Sequence, residues 1–294
     1  MRLLLTGRNG QVGFELQRAL AVLGEVIAID SEDCDLADED AIRRVVQTIR
    51  PDVIVNPAAY TAVDKAESEP AVAQAINARA PGVLAKEAKT LGALLVHYST
   101  DYVFDGSKAG AYQESDTPNP SSVYGATKLA GERAIASAGC RHLILRTSWV
   151  VGTHGGNFAK TMLRLAGERD TLSVVADQYG APTSAALLAD LTAHLVREAQ
   201  RTPADFPYGL YHAVAAGETN WHAYACHVIE RARTAGKAIR VAPDAIRPIT
   251  TSDYPTPAKR PANTRLDTSL LRETFGLHLP DWKIGVDHIL DQIL

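Results

Sequence analysis

The start of the chain constrains its fold more than any other segment. An apolar run, Leu3 to Leu5, passes at once into Thr6-Gly7-Arg8-Asn9-Gly10-Gln11-Val12-Gly13 and then into residues of helical period. In such a strand–turn–helix, Gly7 can open the tight turn, Gly10 lets the backbone approach a ligand, and Gly13 lets the helix pack closely. The amides at the helix start face outward with no acceptor behind them, which suits a pyrophosphate. The alternative is a glycine-rich turn with no ligand, and only the surrounding pattern separates the two.

That pattern continues. Leu3–Leu5, Val26–Ile29, Val53–Val55, Leu94–Val96 and Leu143–Leu145 read as buried strands, alternating with helices over Val12–Leu23, Asp40–Ile49, Pro81–Leu91 and Tyr124–Ala138. Gly92 and Gly139 sit where helix C-terminal caps belong, and Pro51 and Pro81 sit where segments start or stop. The expected fold is α/β: a Rossmann-type doubly wound parallel sheet with a smaller mixed α/β lobe. Residues 1–150 would form the dinucleotide-binding domain, its sheet completed by parts of 171–215, and 151–294 would be mainly the substrate-binding lobe. Helices over Phe158–Gly167, Ala185–Gln200 and Trp221–Ala235, and the Pro-rich stretch Arg247–Pro261, fall in that lobe. There is no internal repeat.

Composition narrows the function classes. With 46% hydrophobic and 22% charged residues the chain can bury a core, which argues against disorder. A net charge of −4 with no polybasic run gives no footprint for nucleic acid or a membrane surface. No signal peptide or stretch of membrane-spanning length is present, so a cytoplasmic protein is expected. Cys34, Cys140 and Cys226 are far apart and odd in number, and His222 and His227 do not share a helical face, so neither a disulfide nor a metal site is expected.

Asp30 ends the second strand at the spacing where an acid accepts from an adenosine ribose, favouring NAD, whereas Arg8 in the glycine loop could hold the 2′-phosphate of NADP. The choice stays open. His97-Tyr98-Ser99-Thr100-Asp101 lies at the carboxyl end of the fourth strand, and Tyr124 and Lys128 lie four apart on one face of the following helix. A phenol of ordinary pKa about 10 is a poor acid or base at neutral pH, and a nearby ammonium would bring it toward the working range. Thr100 would hydrogen-bond a substrate carbonyl, Tyr124 would protonate the alkoxide formed by hydride transfer, and Lys128 would lower the tyrosine pKa and tether the nicotinamide ribose. A tyrosine and lysine four apart also occur on ordinary solvated helices, so the weight lies in the combination.

Together these residues resemble the extended short-chain dehydrogenase/reductases. The segments GQVGFELQRAL, PDVIVNPAAYTAVDKAE, HYSTDYVFDG, YGATKLAGE, LRTSWV, NFAKTMLRL, DQYGAPT, YPTPAKRP and NTRLD narrow the resemblance to the dTDP-4-dehydrorhamnose reductase family over essentially the whole chain. The resemblance implies reduction of a dTDP-linked 4-keto-deoxysugar by NADPH or NADH, in the synthesis of dTDP-rhamnose for cell-surface polysaccharide. Carried over by position, Thr100, Tyr124 and Lys128 are the catalytic set. Gly10, Gln11, Val12, Asp30, Asp35, Leu36, Ala59, Tyr60, Thr61 and Tyr98 would line the cofactor, although Asp35 and Leu36 also suit a simple turn. Asp101 and Trp149 would meet the sugar nucleotide, Trp149 by stacking or else as a core residue. Lys259, Arg260 and Arg265 could neutralise the diphosphate or could be solvated loop charges. A magnesium-bridged dimer known in the family would use Glu15, but Ala186 and His288 stand where further acids are expected, so the metal is doubtful while a homodimer stays possible. An epimerase or dehydratase of the same fold is a rival, but Thr100-Asp101-Tyr102 lacks the adjacent Asp-Glu pair expected of a dehydratase. A non-catalytic regulatory subunit is a second rival, disfavoured by the intact proton-transfer residues.

Overall fold

A computed structural model describes residues 1–294. Six strands form one parallel sheet: β1 Arg2–Leu5, β2 Glu25–Ala28, β3 Val53–Asn56, β4 Leu94–Thr100, β5 Arg141–Thr147 and, later in the chain, Gly209–His212. Their order across the sheet is β2, β1, β3, β4, β5 and then the Gly209–His212 strand, every pairing parallel. The chain therefore steps from β1 outward to β2 and returns over β1 to β3. That reversal opens a crevice at the carboxyl ends of β1 and β3, where ligands of open α/β sheets bind.

Side-chain alternation sends each strand into two cores. Leu3, Leu5, Val53, Val55, Leu94, Val96 and Tyr98 face α1 (Gln11–Leu20) and the helix Ala185–Arg201, whereas Leu4, Ile54, Leu95 and Ile144 face the helices on the other side. These are α2 (Glu39–Ile49), α3 (Ala80–Leu91) and α4 (Val123–Ala138). Local signals fix the ends: Asp38 caps the amides of Asp40 and Ala41, Ser122 caps Gly125, and Gly92 and Gly139 close α3 and α4 at φ 67° and 68°.

Pro81 does not start a helix. A helix over Pro70–Gln74 runs through a π turn, Ala75–Arg79, straight into α3. The wider turn accommodates Pro81, whose missing N–H leaves the Asn77 carbonyl without its helical donor, and Gly131 of α4 packs directly over that carbonyl. A third core, with Tyr224, Val228, Trp282 and Ile289, fills the region built by the helices Phe158–Glu168, Trp221–Thr234 and Trp282–Ile293 and by the parallel pair Leu172–Val175 and Ile246–Ile249. Part of the Pro-rich stretch is thus strand, with Pro248 on a two-stranded ribbon that has free edges. No helix is long and apolar enough to cross a membrane.

Candidate active site

Gly7 has φ +63°, and a Cβ there would lie 3.0 Å from Ala58 Cβ. A Cβ on Gly13 would lie 1.9 Å from the Gly7 carbonyl oxygen, so only hydrogen fits where α1 leaves the turn. Gly10 caps α1 without a side chain, and Phe14 donates to its carbonyl, leaving the amides of Gln11, Val12 and Gly13 ahead of the first helical bond. The Gln11 side chain is occupied elsewhere: it donates to Val150 O at 3.3 Å and accepts from Asn157 Nδ2 at 3.0 Å. It offers a ligand its amide only.

Beside this turn a cavity of about 170 Å³ is lined by Gly7, Asp30, Asp35, Leu36 and Ala59, with Cys34 and Ile76. Asp30 accepts from the amides of Asn9 at 2.9 Å and Ser31 at 2.7 Å. Desolvation raises its pKa, but these bonds outweigh it and the carboxyl is held below its ordinary value. Arg8 is pinned at the same strand end, donating to Asp33 at 2.6 Å and Ala28 O at 3.2 Å. Tyr60 is clasped by Asn77, which accepts from its amide at 2.8 Å and donates to its carbonyl at 3.1 Å, while Thr61 is exposed. Tyr98 reaches the site only through its carbonyl, because alternation turns its phenol through the sheet to Thr192.

Thr100 is buried at the end of β4, donating to Asp101 Oδ1 at 2.9 Å and accepting from the Tyr102 amide at 3.2 Å. A Cβ on Gly125 would lie 2.1 Å from Tyr102 O, so the first turn of α4 seats directly on this segment. That contact sets the Tyr124 ring edge-on to Tyr102, 5.6 Å between centroids, on the side of Thr100. Lys128, 2% exposed, donates to Tyr98 O at 2.5 Å and lies 3.3 Å from His97 Nε2. Burial pulls its ammonium down to about 8, against the opposing pull of Glu132.

The expectation that Lys128 brings the phenol toward neutrality needs correction. Burial pushes the Tyr124 pKa up, the neighbouring Thr100 hydroxyl only partly offsets this, and Asp101 and Tyr102 push it further. The phenol is therefore held in its protonated, proton-donating form. Burial also pushes the Asp101 carboxyl up to about 7, and its Oδ2 has no hydrogen-bond partner.

A larger cavity, about 770 Å³, opens beyond Tyr102 between the sheet and the third core. Asp64, Tyr102, Phe158, Arg169, Trp221 and Arg260 line it. Arg260 donates to Asp64 at 2.6 Å and to the Tyr102 hydroxyl at 3.1 Å. Trp149 is not on its wall. Its ring stacks on Trp221 at 3.6 Å, and its φ of +46° is a strained value for a bulky residue. Arg265 is engaged by Glu218, Asn263 and Ala109 O and lies outside this cavity, and Lys259 is exposed. Sequence reading did not single out Asp64, Tyr102, Trp221, Arg169, His97 or Asn77. A buried polar residue inside an apolar strand, such as His97, and an asparagine in the alanine-rich run Ala71–Ala80 were the available signals.

Glu15, Ala186 and His288 line a separate open cavity of about 890 Å³. Arg18 lies 3.5 Å from Glu15 and 3.1 Å from Asp190, so one paired carboxylate, a methyl group and an imidazole do not make the oxygen shell a hard cation needs.

The family model for the RmlD substrate binding domain matches residues 1–294. The chain is 53% identical to the dTDP-4-dehydrorhamnose reductase of Salmonella typhimurium and 52% identical to that of Shigella flexneri, each over 100% of this chain and 98% of the relative. It is also similar to the dTDP-4-dehydrorhamnose reductase of Bacillus anthracis solved in complex with NADP, at 35% identity and a TM-score of 0.89, covering 99% of both chains. With its glycine loop, strand-end threonine and paired tyrosine and lysine in one crevice, the chain belongs to the dTDP-4-dehydrorhamnose reductase family.

Proposed function

We propose that this protein reduces the 4-keto group of dTDP-4-dehydro-6-deoxy-L-mannose to give dTDP-L-rhamnose, using NADPH or NADH. The observation that carries the reading is the placement of Tyr124 beside Thr100, with Lys128 buried one turn on, at the sheet end that also holds the glycine loop. Residues 1–150 with the strand 209–212 would carry the cofactor, and 151–294 would supply most of the sugar-nucleotide site.

The amides of Gln11, Val12 and Gly13 would hold the cofactor pyrophosphate, and the cavity at Asp30, Asp35, Leu36 and Ala59 would take its adenosine. Asp30 accepts a ribose hydroxyl in this reading, and Arg8, shared with Asp33, remains the group nearest a 2′-phosphate. The reduced nicotinamide supplies a hydride to the carbonyl carbon. Thr100 donates to the carbonyl oxygen and aligns it with Tyr124, whose protonated phenol delivers the proton as alkoxide charge develops. Lys128, braced by Tyr98 O, has donors to spare for the nicotinamide ribose. Arg260 and Arg169 would face the diphosphate in the larger cavity, with Trp221, backed by the stacked ring of Trp149, as an aromatic floor for the nucleotide. The reaction fits a cytoplasmic enzyme.

The test is to follow oxidation of NADPH, and separately NADH, with enzymatically made keto-sugar nucleotide, identifying the product by chromatography. Stoichiometric oxidation with dTDP-L-rhamnose formed supports the reduction. Turnover of sugar without net oxidation would point instead to an epimerase or dehydratase, and binding without turnover to a regulatory subunit. Tyr124→Phe should bind cofactor normally and lose about 10²–10⁴ in turnover. Unchanged turnover would remove Tyr124 from the mechanism.

A further inference from the structure

Beneath Tyr124 runs a file of polar side chains that the reaction as described leaves unused. Thr6, at the end of β1, donates to Asn56 Oδ1 at 2.6 Å, Asn56 Nδ2 lies 3.0 Å from His97 Nδ1, and His97 Nε2 lies 3.3 Å from Lys128 Nζ. The four residues come from β1, β3, β4 and α4, and none is more than 2% exposed. Burying polar groups costs free energy unless each finds its partner, so the donors and acceptors along the file must match.

Two fully matched arrangements run in opposite directions along it. Burial, with the Lys128 charge beside it, keeps His97 neutral, so one ring nitrogen bears a proton and the other accepts. If Lys128 is an ammonium, His97 Nε2 must accept, Nδ1–H must donate, and Asn56 must present its oxygen. If Lys128 is a neutral amine, Nε2–H donates to it, Nδ1 accepts from the Asn56 amide, and Asn56 Oδ1 accepts from Thr6. A half-turn of the Asn56 amide and a shift of the His97 tautomer connect the two, and only loss of a proton from Lys128, which gives its nitrogen a lone pair, opens the second.

We propose that His97 is a positioning residue for Lys128, accepting from its ammonium in one tautomer and donating to its amine in the other, and thereby setting the pH at which the ammonium form is lost. This rests on the reading of Lys128 given above as the charged group that holds the cofactor ribose. The other groups near Lys128 are the Tyr98 carbonyl, to which it donates, and, on α4, Tyr124 one turn back and Glu132 one turn on. Glu132 is itself bound by Ser99 and Arg146. A change at residue 97 leaves all of them in place.

His97→Leu removes the acceptor and should move the alkaline limb of kcat to lower pH by about one unit, a tenfold fall in the ammonium population at fixed pH above the limb. His97→Gln, whose amide can present either an oxygen or an N–H, should restore most of the limb. Equal losses at every pH with the limb unmoved, or a Gln variant no better than Leu, would overturn the proposal. Lys128→Met separates the two readings: wild-type turnover in it would sink the role of Lys128, whereas an inactive Lys128→Met beside an unmoved limb in His97→Leu sinks only that of His97. Nitrogen NMR of the wild-type His97 ring needs no substitution. The proton should sit on Nδ1 below the kcat limb and on Nε2 above it, and one fixed tautomer from about pH 6 to about pH 10 would overturn the proposal.

Discussion

Asp101 is an acid the fold keeps from water, 3% exposed, with one oxygen held by Thr100 and the other unpaired. Because burial raises its pKa to about 7, the folded protein binds more protons than the unfolded chain between the ordinary carboxyl value and about 7. Stability contributed by the protonated group is therefore present at low pH and is lost as pH rises through that window. Asp101→Asn, which cannot ionise, should gain stability relative to the parent as pH goes from about 5 to about 8, by up to a few kcal/mol in denaturant unfolding. A constant difference across that range would mean that Asp101 ionises as freely in the fold as in the unfolded chain. Lys128 runs the other way: its lowered pKa makes the charged form costly below about 8, and that cost is relieved as pH rises toward its ordinary value. Lys128 was legible as a site candidate from its spacing to Tyr124, and Asp101 from the family resemblance. Their protonation was not, because it depends on what other segments pack around them.

Glycine placement decides whether the elements can meet. Gly13→Ala would put a methyl 1.9 Å from the Gly7 carbonyl, a backbone atom that cannot swing aside, so α1 must shift off the turn. The variant should lose about 1–3 kcal/mol of stability and most of its cofactor affinity, read by thermal unfolding with and without NADPH. Gly10→Ala meets the same carbonyl only at 3.3 Å and should fold, so the pair separates helix packing from ligand approach. At this scale the sequence was readable where a local rule acts alone: five strands, the caps at Gly92 and Gly139, and helical periodicity. It misled at Pro81, where the usual reading of proline as a helix start gave way to a π turn supported by packing against α4.

Contacts between distant segments complete the molecule. Arg260 reaches back across 196 residues to Asp64, and Arg146 on β5 pairs with Glu132 on α4 at 2.7 Å with both side chains nearly fully buried. Arg260→Ala should raise the KM for the sugar nucleotide about tenfold or more while leaving NADPH affinity near its parent value; an equal loss for both ligands would take Arg260 out of the substrate site. Glu132→Gln should cost about 3–5 kcal/mol, since it strands a buried guanidinium whose Nη1 already lacks a partner. Neither pairing is visible from spacing. The sequence by itself determined the parallel α/β sheet and the glycine turn, and brought Thr100, Tyr124 and Lys128 forward as candidates, because strand alternation, helical period and tight turns are local properties of the chain. Only the tertiary structure decided that Tyr98 turns its phenol away, that Trp221 and not Trp149 walls the larger cavity, that Arg260 and not Arg265 faces it, and that Tyr124 stays protonated, because each depends on burial and close approach between segments far apart in sequence.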